Sequence, residues 1–127
     1  MIKIAHPEIE IIIHNQFIED RSLINDDRYF FAYTITIRNH GFNSIQLMSR
    51  HWIIENSAGK IFEVKGEGVV GEQPIINEGE SYKYTSGTEI DTPNGFMSGT
   101  YKMRSKNGQL FDTKIPKFEL RMPRTLH

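Results

Sequence analysis

At 127 residues the chain has the length of one domain, enough to bury roughly two thirds of its unfolded surface in a single core. Fifteen basic against sixteen acidic residues leave a formal net charge of -1, which removes the long-range attraction on which most nucleic-acid and anionic-membrane binders depend. The absence of cysteine excludes disulfides, zinc–thiolate sites and thiol nucleophiles, so His, Asp and Glu are the ordinary side-chain metal ligands that remain. Eight Phe, five Tyr and one Trp supply the large apolar side chains that a sheet-on-sheet core needs. The opening residues lack the apolar centre of a signal peptide, and the run Ile9 to Ile13 contains Glu10 and is too short to span a bilayer. The expectation is a soluble, cytoplasmic protein that does not engage a membrane.

Residues 9–18 are rich in β-branched side chains, and Ile9, Ile11 and Ile13 alternate with Glu10, Ile12 and His14, which predicts a strand with one strongly apolar face. The segment 19–28 is polar, with Asp20, Asn25, Asp26 and Asp27 offering turn chemistry. Its carboxylates lack calcium-loop spacing, so a solvated connection is the simpler reading. Residues 29–39 form the clearest strand: Tyr29, Phe31, Tyr33, Ile35 and Ile37 share one face, and Ala32, Thr34, Thr36 and Arg38 the other. Asn39, His40 and Gly41 turn the chain into a strand at 45–56 that carries the one tryptophan, Trp52. On that strand Arg50 shares the face of Trp52, and His51 takes the opposite face. Both are candidates for flanking a ligand or partner site; the structural alternative has Arg50 snorkelling over the core edge and His51 half exposed.

A turn at Asn56-Ser57-Ala58-Gly59 precedes a short alternating strand at 60–65, which delivers the chain to Gly66-Glu67-Gly68-Val69-Val70-Gly71-Glu72-Gln73-Pro74. Glycine and proline at this density predict one shaped loop rather than a regular element. The loop is expected to run on through Asn77-Glu78-Gly79 to a strand at 81–86. A second loop at 87–98, bending at Pro93-Asn94-Gly95, leads to strands at 99–105 and 109–115 joined by Lys106-Asn107-Gly108. Pro116 is expected to break pairing before 118–122. Strand signals at short spacing, with no sustained helical period, predict a single all-β domain over residues 1–127, an antiparallel sandwich of about seven strands or more.

Gly66 to Gly71 matches the GxGxxG string of dinucleotide-binding folds, but Glu72-Gln73-Pro74 and then Gly79 leave no room for the helix whose amides hold the pyrophosphate. A loop crossing from one sheet to the other explains the glycines without a ligand. A nest of exposed amides binding an anion, or a cation bridged to phosphate by Glu67 or Glu72, is the surviving small-ligand arrangement. The histidines His6, His14, His40, His51 and His127 show no paired metal-ligand spacing, and no serine stands beside an evident base. No catalytic constellation emerges, and the alternating aromatics read as core rather than as a stacking platform for nucleic acid.

Four blocks, Tyr33-Thr34-Ile35-Thr36-Ile37-Arg38-Asn39, Ser49-Arg50-His51-Trp52-Ile53-Ile54, Gly68-Val69-Val70-Gly71-Glu72-Gln73-Pro74 and Tyr84-Thr85-Ser86-Gly87, then Thr92-Pro93 and Ile115-Pro116-Lys117-Phe118, resemble the signature blocks of the bacterial ApaG family. Glu67 and Asn77-Glu78 depart from it at positions where members often carry proline, which bears on loop stiffness. The resemblance implies a fibronectin type III-like or immunoglobulin-like β-sandwich. It also implies a gene neighbourhood shared with a diadenosine tetraphosphate hydrolase and a connection with cobalt and magnesium resistance or efflux. Related domains in F-box proteins and in a DNA polymerase delta-interacting protein imply protein binding, by an analogy of architecture.

The leading expectation is therefore a non-enzymatic module without a resident cofactor, presenting Gly66, Glu67, Gly68, Gly71, Glu72, Gln73 and Pro74 to a protein partner, with Arg50 and His51 flanking. An exposed strand edge offers a second way to add a partner strand. The rival expectation is a small-ligand domain binding a divalent cation, a nucleotide phosphate or both at the same loop. The apolar first strand is compatible with a homodimer and equally with pairing inside its own sheet.

Overall fold

The computed structural model describes residues 8–123. Eight strands follow in order: β1 Ile9–Phe17, β2 Tyr29–Asn39, β3 Ile45–Asn56, β4 Ile61–Glu67, β5 Ile75–Ile76, β6 Ser81–Ile90, β7 Asn94–Ser105 and β8 Leu110–Arg121. They form two antiparallel sheets, one in the order β1-β2-β6 and the other β4-β3-β7-β8, with β5 also paired to β3. This is a fibronectin type III-like sandwich. The described residues outside the strands include two short 3-10 turns, Glu19–Arg21 and Ile24–Asp26.

The period-two patterns put the core where alternation requires. Tyr29, Phe31, Tyr33, Ile35 and Ile37 of β2 are buried against Trp52, Ile54, Met97, Tyr101, Met103 and Ile115 of the facing sheet. Trp52 is the hub. Its ring meets Tyr33 at 5.3 Å, Phe118 at 6.0 Å and Tyr101 at 6.3 Å between centroids, each with edge-to-face inclination.

Strand β3 reaches this arrangement only by changing phase. Ile45 and Leu47 point inward at odd positions, Trp52 and Ile54 at even ones, and the switch occurs where Leu47 pairs Met103 while Ser49 pairs Lys102. Met48 is the extra residue of a β-bulge, which exchanges the two faces of the strand beyond it.

Several predicted boundaries are corrected. Gly66 and Glu67 are the last residues of β4, not loop, because Gly66 still pairs with Arg50. The glycine loop does not cross between sheets: β4 and β5 both pair with β3, and the crossing comes after β5. The predicted loop at 87–98 shrinks to residues 91–93. Gly87 stays in β6 because the Phe30 ring, on the paired strand, occupies the space above it, where a Cβ would lie 2.3 Å from the ring. Pro116 does not end a strand. It sits at a second bulge, between the pairs Met97–Phe118 and Gly99–Ile115, on edge strand β8 where a missing N–H is tolerated.

Gly99 faces Trp52 across β3 and β7, and a Cβ there would stand 2.1 Å from the His51 carbonyl oxygen. Gly99→Ala is accordingly expected to lower the unfolding free energy by roughly 2 kcal/mol or more, since backbone rather than a flexible side chain must yield. Urea denaturation checks this, and an unchanged midpoint would contradict it.

Candidate functional site

The residues singled out in the loop converge on one structure. Gly68 donates its N–H to the Met48 carbonyl at 2.8 Å, and the Gln73 side-chain amide donates to the same carbonyl at 2.8 Å. The bulge that turns Trp52 inward thus also aims a carbonyl at the loop. Leu47 N–H donates to the Pro74 carbonyl at 3.0 Å, closing the loop onto β3.

Between these anchors Val69 and Glu72 exchange backbone hydrogen bonds at 2.8 and 2.9 Å. The two residues between them, Val70 and Gly71, have φ of 42° and 82°, the positive sign at both centres that a type I′ turn requires. Gly71 suits this conformation and has open space around it; Gly68, at φ 62°, is fixed by contact as well, since a Cβ would lie 2.1 Å from the Glu72 carbonyl oxygen. Val69 is 1% exposed and plugs the core, whereas Val70 is 53% exposed.

Arg50 holds the underside. It lies in an inward-facing row with Gly66 on one side and Tyr101 on the other. The guanidinium rests on Gly66, where a Cβ would meet Nη1 and Nη2 at 2.8 Å, and Nη1 donates to the carbonyls of Glu67 at 3.1 Å and Gly68 at 2.9 Å. No described residue accepts from its Nε or Nη2. His51 stands apart, its Nε2 2.6 Å from the Glu63 carboxylate, on the outer face with no bond to the loop. The sequence pattern therefore placed both side chains on the correct faces, and the structure brings Arg50 alone of the two to the loop.

Beneath Arg50 lie three tyrosines that sequence reasoning left in the core. The hydroxyls of Tyr84 and Tyr101 share a 2.5 Å hydrogen bond. Burial pushes the Tyr84 and Tyr101 hydroxyls well above their ordinary value and raises Tyr33 as well, with Arg50 partly offsetting the rise in all three. Tyr82 donates to the Glu72 carboxylate at 3.0 Å, and burial followed by that bond raises its hydroxyl too. The signal for this cluster was the alternation of Tyr82 and Tyr84 directly after the loop.

Chemically, the loop presents an apolar tip on a fixed frame. The amides of Gly68, Val69 and Glu72 are committed to internal carbonyls, which leaves Val70 and Gly71 as the tip amides free of such bonds among the described residues. No three His, Asp or Glu side chains stand together as metal ligands among the described residues. His6 and His127 lie outside the described residues. No helix of the described residues is long and apolar enough to cross a membrane.

The family model described as the ApaG domain matches residues 19–105. A Protein ApaG of Bradyrhizobium sp. is 45% identical over 97% of this chain and 95% of its own length. One from Azoarcus sp. is 49% identical over 94% of both. The crystal structure of a Bordetella pertussis protein superposes with a TM-score of 0.88 at 41% identity, covering 92% of this chain and 95% of its own. The X-ray structure of a structural genomics target gives 0.89 at 46% identity over 96% and 92%.

The tyrosine pair carries a pH consequence. Unfolded tyrosines ionise near 10.0, so the unfolded chain releases these two protons first. Stability held by the protonated pair is complete below that value and is lost as pH rises through the higher folded values. Tyr84 and Tyr101 are expected to ionise only together with loss of the folded circular dichroism signal. Reversible ionisation of all five tyrosines near the ordinary value in an intact fold would refute this.

Proposed function

The chain belongs to the ApaG domain family, and from that premise we infer that it is a non-enzymatic protein-binding module whose contact point is the tip of the glycine loop. The observation that supports this reading is Val70. A β-branched residue at φ 42° is held in a backbone region that disfavours it by roughly 1–2 kcal/mol. With 53% exposure it recovers little of that cost through packing inside the chain. Strained backbone accumulates where a surface is shaped for an external contact.

The frame is suited to the task. Met48, Gln73, Arg50, Tyr82 and the Val69–Glu72 bonds fix the loop before any partner arrives, so a partner would meet a preorganised apolar knob and little ordering entropy would be lost on docking. Ile75, 61% exposed immediately beyond Pro74, extends the apolar surface along the same segment.

Val70→Asn separates fold from function, because asparagine tolerates positive φ. The expected outcome is an unfolding free energy raised by about 1 kcal/mol and partner binding weakened by about tenfold or more. The partner is to be trapped by replacing Val70 with photoreactive benzoylphenylalanine in cells, which should yield one discrete protein adduct. Absence of any adduct would overturn the reading, more decisively if the amides of Gly66, Gly68 and Gly71 showed saturable NMR shifts with magnesium, cobalt or diadenosine tetraphosphate.

A further inference from the structure

The two sheets differ in width, and the difference leaves one flank of the sandwich open. On the other flank β1 runs against β8. Strand β4 overhangs the three-stranded sheet: Phe62 and Val64 stand opposite Ile54 and Trp52 in register and so face inward, yet are 37% and 42% exposed. A fourth strand beside β6 would lie beneath them. No described strand is there.

The edge of β6 is ready for one. Asn39 donates its N–H to the Glu80 carbonyl at 3.0 Å, which sets the alternation of the antiparallel ladder with β2. By that alternation the N–H and C=O groups of Lys83, Thr85, Gly87 and Glu89 point away from β2, and no described residue bonds to them. Strand edges are usually blunted by proline, by bulges or by being short. β6 runs ten residues with no proline and no break in register, whereas edge strand β8 carries Pro116 and a bulge.

The open flank ends in a cavity of about 390 Å³ floored by Ile54, Phe62 and Ile90 and rimmed by Asp26, Asp27 and Asp91. Glu89 at the same rim is paired with Arg28 at 3.1 Å. The three aspartates have no cationic partner among the described residues. An apolar stripe therefore leads, along a free strand edge, to a pocket lined by four carboxylates, Asp26, Asp27, Glu89 and Asp91, against the single cation Arg28.

We propose that the β6 edge and the β4 overhang accept an extended strand of a partner protein that carries an apolar side chain and, two residues along on the same face, an arginine or lysine. The spacing follows from the pleat, which returns every second side chain to one face about 6.6–6.8 Å further on. The apolar side chain packs against Phe62 and Val64. The cation enters the aspartate-rimmed cavity with its stem against Phe62 and Ile90, and the backbone pairs with Thr85 and Gly87. This surface is distinct from the Val70 tip, and the proposal stands independently of that reading.

The test is selection of a displayed library of short random peptides against the full chain, followed by binding measurements on the enriched sequences as synthetic peptides. Enriched peptides are expected to share the apolar–any–basic pattern. Two variants should each weaken them by about tenfold or more. Thr85→Pro removes an outward N–H at the edge, and the pair Asp26→Asn with Asp27→Asn removes charge from the exposed rim without touching the core. Enrichment of peptides lacking a basic residue, no enrichment at all, or affinity unchanged in the aspartate variant with its melting temperature intact would each overturn the proposal. So would light scattering that showed the chain dimerising through this edge, with the dimer abolished by Thr85→Pro, because the occupant would then be a second copy.

Discussion

A single extra residue in β3 governs both the core and the loop. Without the bulge at Met48 the alternation begun by Ile45 and Leu47 would run on through the same residues, and Trp52, the ring on which Tyr33, Tyr101 and Phe118 pack, would face solvent. With it, Arg50 and Trp52 turn inward together. The same irregularity frees the Met48 carbonyl from the β7 ladder and offers it to Gly68 and Gln73. Core packing and loop geometry are therefore coupled through one backbone group, and neither can be altered there without disturbing the other.

An arginine on the inner face of a sandwich needs an explanation, and the unequal sheets supply it. Because β4 projects beyond β6, the row Gly66, Arg50, Tyr101 runs from the open flank into the core. The guanidinium lies where the row is still wet, and its stem and the tyrosine rings lie where it is dry. Gly66 is required for this, since any side chain at that position would occupy the space of the guanidinium. The charge in turn ties down Glu67 and Gly68 from below through their carbonyls. The open flank thus has two consequences at opposite ends: an anchored loop at one and an acid-rimmed cavity at the other.

Much of this was legible in the chain. The alternation at 29–39 predicted β2 to the residue, and β-rich content between turn signals predicted β3 at 45–56; period two over residues 50–52 placed Arg50 and His51 on opposite faces. The glycine turns at Gly41, Gly59 and Gly108 do separate strands as expected, but Gly87 and Pro116, also taken as terminators, lie within strands, one filled in by the Phe30 ring and the other at an edge bulge. Those outcomes depend on neighbours distant in sequence. The bulge at Met48 was not read from the chain, although Leu47 and Trp52 differ in parity, and its second role carries no sequence signal because a carbonyl's partners are set by tertiary structure. The strain at Val70 was likewise hidden, since GxGxxG spacing marks flexible positions and says nothing of a valine forced to share their conformation.

The central claim, that the loop is a rigid frame hung on the Met48 carbonyl rather than a mobile connection, is tested most directly by native-state amide hydrogen exchange at Gly68 and Val69. Both amides donate to backbone carbonyls at 2.8 Å. They are expected to exchange as slowly as the central residues of β3, and Arg50→Met should raise the rate at Gly68 while leaving Trp52 unaffected. Exchange at Gly68 and Val69 as fast as at an exposed turn amide in the unaltered protein would contradict the account.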